Sequence, residues 1–313
     1  MDEITRRVRA LVDRAGKDER LDQIARPLSS LSETLTRRDD VKRLLSGSWL
    51  GHRLHPMLTD IPIGAWTSAT VLDVLGGRAG RLASRRLVGV GILASLPTAA
   101  AGLSDWHDSF GEDKRVGVVH ATANVTALTL QLASWRARGR GHRLRGSALS
   151  MIGLGATAVG GYLGGHLVFN QRVGVDVEVP VVDIPTWQAV CAANELRDNE
   201  PKGVVVDGAR IALVRRGAIV HALAAVCSHA GGPLDEGSVD RGALRCPWHG
   251  SEYALRDGAV VRGPATTPQP VYDARIRGDM VEVRGPLQDG ASPDVVLDEA
   301  PLTSDRFGAS NRG

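Results

Sequence analysis

The sequence predicts two domains of different kinds: an α-helical membrane bundle with four transmembrane helices, followed by an all-β domain. The bundle is predicted by four long apolar stretches between Met57 and Phe169. The β-domain is predicted by short β-rich runs that alternate with turn residues after Asp183. The chain of 313 residues is long enough for two domains of ordinary size.

The apolar stretches have the length of membrane-spanning helices. Each contains 17 to 22 residues, and about 20 residues of helix cross a bilayer. They are Met57–Gly77, Leu87–Leu103, Val116–Trp135 and Ala148–Phe169. Small residues are dense in the last stretch, and membrane helices use such residues for close packing. We therefore expect a four-helix transmembrane domain over residues 49–170.

The β-rich runs are separated by turn signals such as Asp207-Gly208 and Arg216-Gly217. They are Val204–Val206, Ile211–Val214, Ala218–Val220 and Met280–Val283. Short runs at this spacing are typical of a small all-β domain. We place that domain at residues 183–286.

Two short motifs in the β-domain supply a set of metal ligands. Cys227-Ser228-His229 and Cys246-Pro247-Trp248-His249 are separated by 16 residues. Two thiolates and two imidazoles are the ligands of a Rieske [2Fe–2S] cluster, and they also suit a tetrahedral zinc ion. Zinc sites rarely use Cys-x-His in their first half, so the pattern favours the cluster.

From about Asp183 to Gly285 the sequence resembles the Rieske ferredoxin-like family. Besides the motifs, the resemblance includes three flanking segments: Gly231–Leu234, Gly250–Tyr253 and the proline-rich Gly263–Pro270. It implies a [2Fe–2S] cluster held by Cys227, His229, Cys246 and His249.

The same resemblance implies that the hydroxyls of Ser251 and Tyr253 donate hydrogen bonds to sulfur atoms of the cluster and its ligands. Such bonds favour the reduced cluster. The alternative for Tyr253 is a core aromatic. Gly232 and Trp248 stand where respiratory Rieske proteins carry a disulfide, which implies the ferredoxin and oxygenase branch and an intermediate potential. We interpret the remaining cysteine, Cys191, as a small buried apolar residue.

Residues 48–175 resemble a family of uncharacterised bacterial four-helix membrane proteins. The matching segments are Gly51–Gly64, Asp105-Trp106, His120 with Asn124, and Gly164–Val168. This resemblance implies a membrane bundle and brings no activity with it.

Antiparallel helices would gather His55, Asp60, His120 and His166 at one membrane face, the side on which the β-domain follows. Ionisable groups within membrane spans are functional candidates by default. Three interpretations remain open. His120 and His166 could be the axial ligands of a haem b, His55, Asp60 and His120 could line a quinone pocket, or the groups could form a polar cap that fixes helix packing.

The remaining segments are less informative. Residues 1–48 contain amphipathic runs, which predict a helical, membrane-proximal arm. We expect residues 171–182 to form a linker and residues 287–313 to form a flexible tail. The net charge of +3 comes largely from arginines that flank the membrane, so membrane lipid is an expected partner. No basic helix with interleaved aromatics indicates a nucleic-acid partner.

Two arguments about orientation in the cell membrane disagree. Arg78–Arg86 holds four arginines and Arg136–Arg145 five, whereas Asp105–Arg115 has four acids and two bases. The positive-inside rule therefore places the β-domain outside. Against this, the N-terminus shows no apolar export signal, and iron–sulfur clusters are generally inserted in the cytosol. The loop charges favour a multi-pass protein with its β-domain at the outer face.

These features predict a membrane-anchored protein that carries single electrons between donor and acceptor proteins or quinol. Only 64 residues follow His249, and they contain no histidine, so an oxygenase within this chain is excluded. Whether the carrier is also an enzyme subunit stays open, as does its oligomeric state. The alternative function is a redox sensor or assembly factor whose cluster state is signalled through the helices.

Overall fold

A computed structural model describes residues 3–77 and 80–287. The predicted tail falls almost entirely outside these residues. The N-terminal arm consists of α1 (Glu3–Lys17), α2 (Asp22–Leu35) and α3 (Asp39–Ser46). The arm packs on the bundle that follows: Val12 belongs to one apolar cluster with Val116, and Ser32 donates a hydrogen bond to the Leu103 carbonyl.

Four long helices form the bundle: α4 (Leu54–Leu75), α5 (Gly80–His107), α6 (Gly111–Gly139) and α7 (Arg143–Phe169). Within the described residues, α5, α6 and α7 are long and apolar enough to cross a membrane. Three of the four predicted spans are thus candidate membrane helices by length and composition. α4 has 22 residues but lies outside this set.

The four helices form two hairpins. α4 packs along α5 and α6 along α7, and the hairpins meet through α5 with α6 and α4 with α7. α4 therefore lies diagonally opposite α6 across the middle of the bundle. Both helices begin at the end of the bundle that faces the β-domain.

The β-domain contains a six-stranded antiparallel sheet in the order β1-β10-β9-β4-β3-β2. Its strands are β1 (Ile184–Ala192), β2 (Pro201–Val206), β3 (Ala209–Arg216), β4 (Ile219–Ala224), β9 (Val271–Arg277) and β10 (Met280–Gly285). β2, β3, β4 and β10 overlap the predicted runs. The β2–β3 turn uses Asp207 and Gly208, both at positive φ, as the sequence indicated.

A second, four-stranded sheet carries the second cluster motif. Its strands are β5 (Ser238–Asp240), β6 (Ala243–Arg245), β7 (Glu252–Ala254) and β8 (Val260–Arg262). Each has three residues, too few to show a period of two in the sequence. The first motif follows β4, and the second connects β6 to β7.

Candidate metal centre

The two ligand loops share one backbone design. The Cys227 carbonyl accepts from the Gly231 N–H, and the Cys227 N–H donates to the Gly232 carbonyl. At the second loop, the Cys246 carbonyl accepts from Gly250, and the Cys246 N–H donates to the Ser251 carbonyl. Each cysteine is thereby fixed at both of its backbone groups.

A glycine at positive φ closes each loop. Gly231 has φ +78° and Gly250 has φ +71°, in the left-handed region that favours glycine. A side chain at either position would be strained, because the chain must reverse there to bring the ligand loop back to its sheet. The glycines that flank the motifs therefore have a geometric role.

All four predicted ligands meet at one end of the β-domain. Cys227 and Cys246 are free, buried thiols in one core cluster, and the rings of His229 and His249 lie edge to face with centroids 4.8 Å apart. His229 is buried and His249 half-buried. The ligands thus divide into an inner thiol pair and an outer imidazole pair.

The chemistry of these side chains fits a [2Fe–2S] cluster. His229 Nδ1 is buried and has no hydrogen-bond partner among the described residues, so it presents a lone pair that protein groups leave unused. The hydrogen bond from Cys227 lowers the pKa of Cys246 to about 6, and the same pairing raises the pKa of Cys227. Binding iron would remove this shared proton.

A single ion fits less well. Among the described residues, no group of three or more His, Cys, Asp or Glu side chains converges on one metal position. Zinc in a structural site requires four ligands around one point. A two-iron group matches the division into thiol and imidazole pairs.

Hydroxyl groups surround Cys227. The Tyr253 hydroxyl lies 3.1 Å from Cys227 Sγ and 2.9 Å from Ser228 Oγ. Ser228 Oγ also donates to the Thr267 carbonyl. Burial raises the pKa of Tyr253, so its hydroxyl stays protonated and can donate to a thiolate. The structure thus places the Tyr253 hydroxyl beside the sulfur of the predicted ligand Cys227.

Ser251 has a different set of contacts. Its hydroxyl oxygen accepts a hydrogen bond from the Ala265 N–H at 3.0 Å and is fully buried. Because this bond uses only a lone pair of Ser251, its own proton remains available for a cluster sulfur. The segment that includes Ala265 is tied to the arm as well, since Ser48 Oγ donates to the Ala265 carbonyl.

The imidazole pair faces the membrane domain. The ring of Phe110, at the start of α6, lies 5.2 Å from the ring of His249, and Phe110, Trp248 and His249 line a cleft of about 420 Å³. Burial, together with the positive charge of Arg53, lowers the pKa of His229 to about 2. Burial also lowers the pKa of His249, so both rings favour the neutral form, which binds metal.

Two buried ion pairs form the membrane-domain side of this contact. Lys42 Nζ lies 2.6 Å from Asp108 Oδ2, and Arg53 Nη1 lies 3.1 Å from Asp105 Oδ1. Lys42 also donates to the carbonyl and hydroxyl of Ser104, which gives its ammonium group three acceptors. Each of these two cations therefore has a carboxylate partner within the membrane-domain side of the contact.

The linker and the arm fix the β-domain in this position. The Val177 N–H donates to the Ser228 carbonyl at 2.8 Å, and the Asp176 carboxylate accepts from the Thr266 hydroxyl at 2.7 Å. Asp39 of α3 accepts from Arg262 at 2.8 Å. The outer ligand pair is thereby held against the bundle.

The membrane histidines are arranged differently from the pair that the haem interpretation requires. The ring of His55 lies beside that of His120, with centroids 6.3 Å apart. In the haem interpretation His166 would lie at this place, but His166 lies three residues before the end of α7, whereas His120 lies nine residues inside α6. Asp60 is exposed on α4. Of the predicted quinone set, the structure brings together His55 and His120.

Several residues of the site were missed in the sequence. Lys42, Arg53 and Phe110 reach the cluster face from distant segments, so no local spacing marks them. Ser228 stands between Cys227 and His229, and its position inside the motif was the one available signal. Gln269, which accepts from the Ser228 N–H, was part of the proline-rich stretch but had no assigned role.

Comparisons with known proteins agree with the division into two domains. The family described as "Rieske [2Fe-2S] domain" matches residues 186–273, and the family described as "Predicted membrane protein (DUF2231)" matches residues 51–177. The two resemblances expected from the sequence are confirmed.

Individual relatives match the β-domain region. The chain is 36% identical to the anthranilate 1,2-dioxygenase ferredoxin subunit of Burkholderia cepacia over 97 residues, 31% of this chain and 90% of that protein. It is 31% identical to apoptosis-inducing factor 3 of Homo sapiens over 123 residues, 39% of this chain. The chain spans only 20% of the length of that human protein.

A solved structure is also similar to part of the chain. The ferredoxin of carbazole 1,9a-dioxygenase from Nocardioides aromaticivorans IC177 is 31% identical and has a TM-score of 0.31. The match covers 32% of this chain and 97% of that ferredoxin.

Proposed function

We propose an electron-transfer function from one premise: through residues 186–273 this chain belongs to the Rieske [2Fe–2S] family, joined to a membrane-protein domain at residues 51–177. In this proposal the protein is a membrane-anchored carrier of single electrons. A cluster held by Cys227, Cys246, His229 and His249 takes up and releases one electron at a time. The partners are an electron donor and an acceptor, one of them a quinol or a haem in the membrane domain.

The contact between His249 and Phe110 is the observation that carries this proposal. In this contact the outer ligand pair faces the membrane domain. The cluster would therefore lie next to the polar face of the bundle. The adjacent cleft leaves the edge of the His249 ring accessible to a quinol ring or to a protein donor. Arg53 and Lys42 add positive charge there, which favours a reduced, more negative cluster.

We further propose that α4 is the fourth membrane span. Its 22 residues suffice to cross a bilayer, and it packs along α5. The arginine-rich connections lie at the end of the bundle remote from the β-domain. The positive-inside rule then supports a β-domain at the outer face. Protease accessibility of the C-terminus in intact cells tests this orientation.

Single-turnover reduction tests the function. The detergent-purified full chain is mixed with a quinol analogue or with an NADH-linked reductase, and cluster reduction is followed by visible absorbance. We expect Trp248→Ala to change the rate about tenfold, because Trp248 lines the cleft beside His249. Trp187→Ala is the matched control, since Trp187 packs between Arg275 and Arg284 away from the cluster motifs.

The same experiment distinguishes an electron carrier from the alternative function. A cluster that dithionite reduces, but that exchanges electrons with neither donor, would favour a redox sensor or assembly factor. Equal rates of cluster reduction in Trp248→Ala and the unaltered protein would show that electrons do not enter through this cleft.

A further inference from the structure

The two hairpins of the membrane domain repeat one pattern of contacts. Nδ1 of His55 in α4 bonds to the Thr98 carbonyl of α5 at 2.9 Å. Nδ1 of His120 in α6 bonds to the Gly160 carbonyl of α7 at 2.8 Å. His120 stands 65 positions after His55, and Gly160 stands 62 positions after Thr98.

A glycine accompanies each histidine. A Cβ atom at Gly102 would lie 2.7 Å from Cε1 of His55, and one at Gly164 would lie 3.2 Å from Cε1 of His120. Each glycine follows the carbonyl acceptor by four residues, on the same face of its helix. The absence of a side chain at these positions leaves room for the imidazole ring.

The pattern continues deeper in the bundle with the same offsets. Trp66 Nε1 donates to the Val88 carbonyl, and Gln131 Nε2 donates to the Ser150 carbonyl. At the far end, Asp73 of α4 is paired with Arg138 of α6, again 65 positions later. The second hairpin therefore repeats the first about a two-fold axis that runs between the diagonal helices α4 and α6.

His55 and His120 face each other across this axis. Because a carbonyl oxygen can only accept, each Nδ1 carries a proton, and Nε2 of the neutral ring then carries a lone pair. Asn124 Nδ2 lies 3.1 Å from His120 Nε2, which also requires a lone pair on that nitrogen. Asn124 donates to the His120 carbonyl as well, so its amide keeps a partner when Nε2 is bound elsewhere. Histidines that bind metal are commonly oriented by such Nδ1–H bonds.

The separation of the rings suits one metal between them. Two metal–nitrogen bonds of about 2 Å each, with the ring centres beyond the nitrogens, put the centroids roughly 6 Å apart. The observed distance is 6.3 Å, and the rings are nearly perpendicular at 80°. The two imidazoles are thus spaced as ligands on opposite sides of a metal.

The ligand count selects the kind of metal. Among the described residues, no third His, Cys, Asp or Glu joins this pair to complete a metal site. Zinc and free copper or iron ions need more protein ligands than two. A haem iron needs only axial ligands from the protein.

We propose that His55 and His120 are the two axial ligands of a haem on the pseudo-two-fold axis of the membrane domain. This deepens the proposed electron-transfer function and depends on it for its role, since the haem would exchange one electron with the cluster. The route between them is short in sequence: Arg53, whose charge acts on His229, precedes His55 by two residues and pairs with Asp105.

A reduced-minus-oxidised visible spectrum tests the site in the full chain purified from haem-supplied cells. Haem is quantified as the pyridine haemochrome, and the cluster separately by its electron paramagnetic resonance signal. We expect one haem per chain, with more than tenfold loss in His55→Ala and in His120→Ala. His166→Ala and His52→Ala are the matched controls and should retain it.

Replacement of one proposed haem ligand by another type of ligand distinguishes loss of the site from misfolding. His120→Met supplies a thioether, which also ligates haem iron and raises its potential. We expect His120→Met to keep haem with a changed spectrum and a higher midpoint potential, a result that a packing role would not produce. The proposal is overturned if the unaltered protein contains no haem, or if His55→Ala and His120→Ala keep its spectrum. A normal cluster signal without haem would overturn this site and leave the proposed electron carrier standing.

Discussion

The hydroxyl oxygen of Tyr253 lies 3.1 Å from Cys227 Sγ, inside the core of the β-domain. Because burial keeps Tyr253 protonated, this hydroxyl can donate to Cys227, and in the proposed cluster such a bond would stabilise the reduced form. Tyr253→Phe should therefore lower the midpoint potential. A hydrogen bond of about 0.5–1.5 kcal/mol corresponds to roughly 20–65 mV for one electron.

Redox titration of the full chain measures this change, and Tyr272→Phe is the control. Tyr272 is also buried, but its hydroxyl accepts from the Val182 N–H in the other core cluster. Its removal should leave the potential unaltered. An unchanged potential in Tyr253→Phe would make Tyr253 a core aromatic only.

Ser228→Ala should change the potential in the opposite direction. The Thr267 carbonyl can only accept, so Ser228 donates its proton there and offers a lone pair to Tyr253. The Tyr253 proton is then shared between Ser228 and Cys227. Without Ser228 it would point fully at Cys227, and the potential should rise by less than the Tyr253→Phe decrease. A decrease in Ser228→Ala would contradict this assignment of donors.

The pair of Lys42 with Asp108 should be important for stability. The two side chains are 2% and 7% exposed, and burial lowers the pKa of Lys42 although Asp108 opposes this. Lys42→Met would leave the Asp108 charge buried without its partner, which typically costs about 3–5 kcal/mol. Thermal unfolding in detergent should show the loss.

A control pair lies at the start of α3. Arg38 and Asp40 are 76% and 63% exposed, and removal of such a surface pair changes stability little because water screens the two charges. Arg38→Ala should thus unfold close to the unaltered protein. The double change of Lys42→Met with Asp108→Leu should recover much of the stability, since no charge is left unpaired. Equal losses in Lys42→Met and Arg38→Ala would contradict this prediction.

The sequence predicted the cluster ligands because their spacing is short and their chemistry restrictive. Cys227 and His229 lie within one loop, and so do Cys246 and His249, so each half of the site is local. The residues that contact this site from the membrane-domain side are distant from it in sequence. Lys42 and Phe110 reach it from separate helices, and only the packing of α3 and α6 brings them together.

The depth of each histidine along its helix could not be predicted from the apolar stretches. The predicted third span began at Val116, but α6 begins at Gly111, so His120 lies deeper than the apolar stretch suggested. Polar residues such as Glu112 and Asp113 continue the helix because its first turn favours acidic side chains. The internal repeat was also invisible, since equivalent positions hold different residues, such as Trp66 and Gln131.

The repeat makes a prediction about the pair of Asp73 with Arg138. Their side chains are 5% and 4% exposed, and Arg138 Nη1 lies 2.6 Å from Asp73 Oδ1. Asp73→Ala should cost about 3–5 kcal/mol, because the Arg138 charge stays buried. If α4 and α6 are equivalent about the axis, the exchange of Asp73→Arg with Arg138→Asp should restore more than half of this loss. Unfolding in detergent compares the three proteins, and an exchanged pair no more stable than Asp73→Ala would show that the two positions are not equivalent.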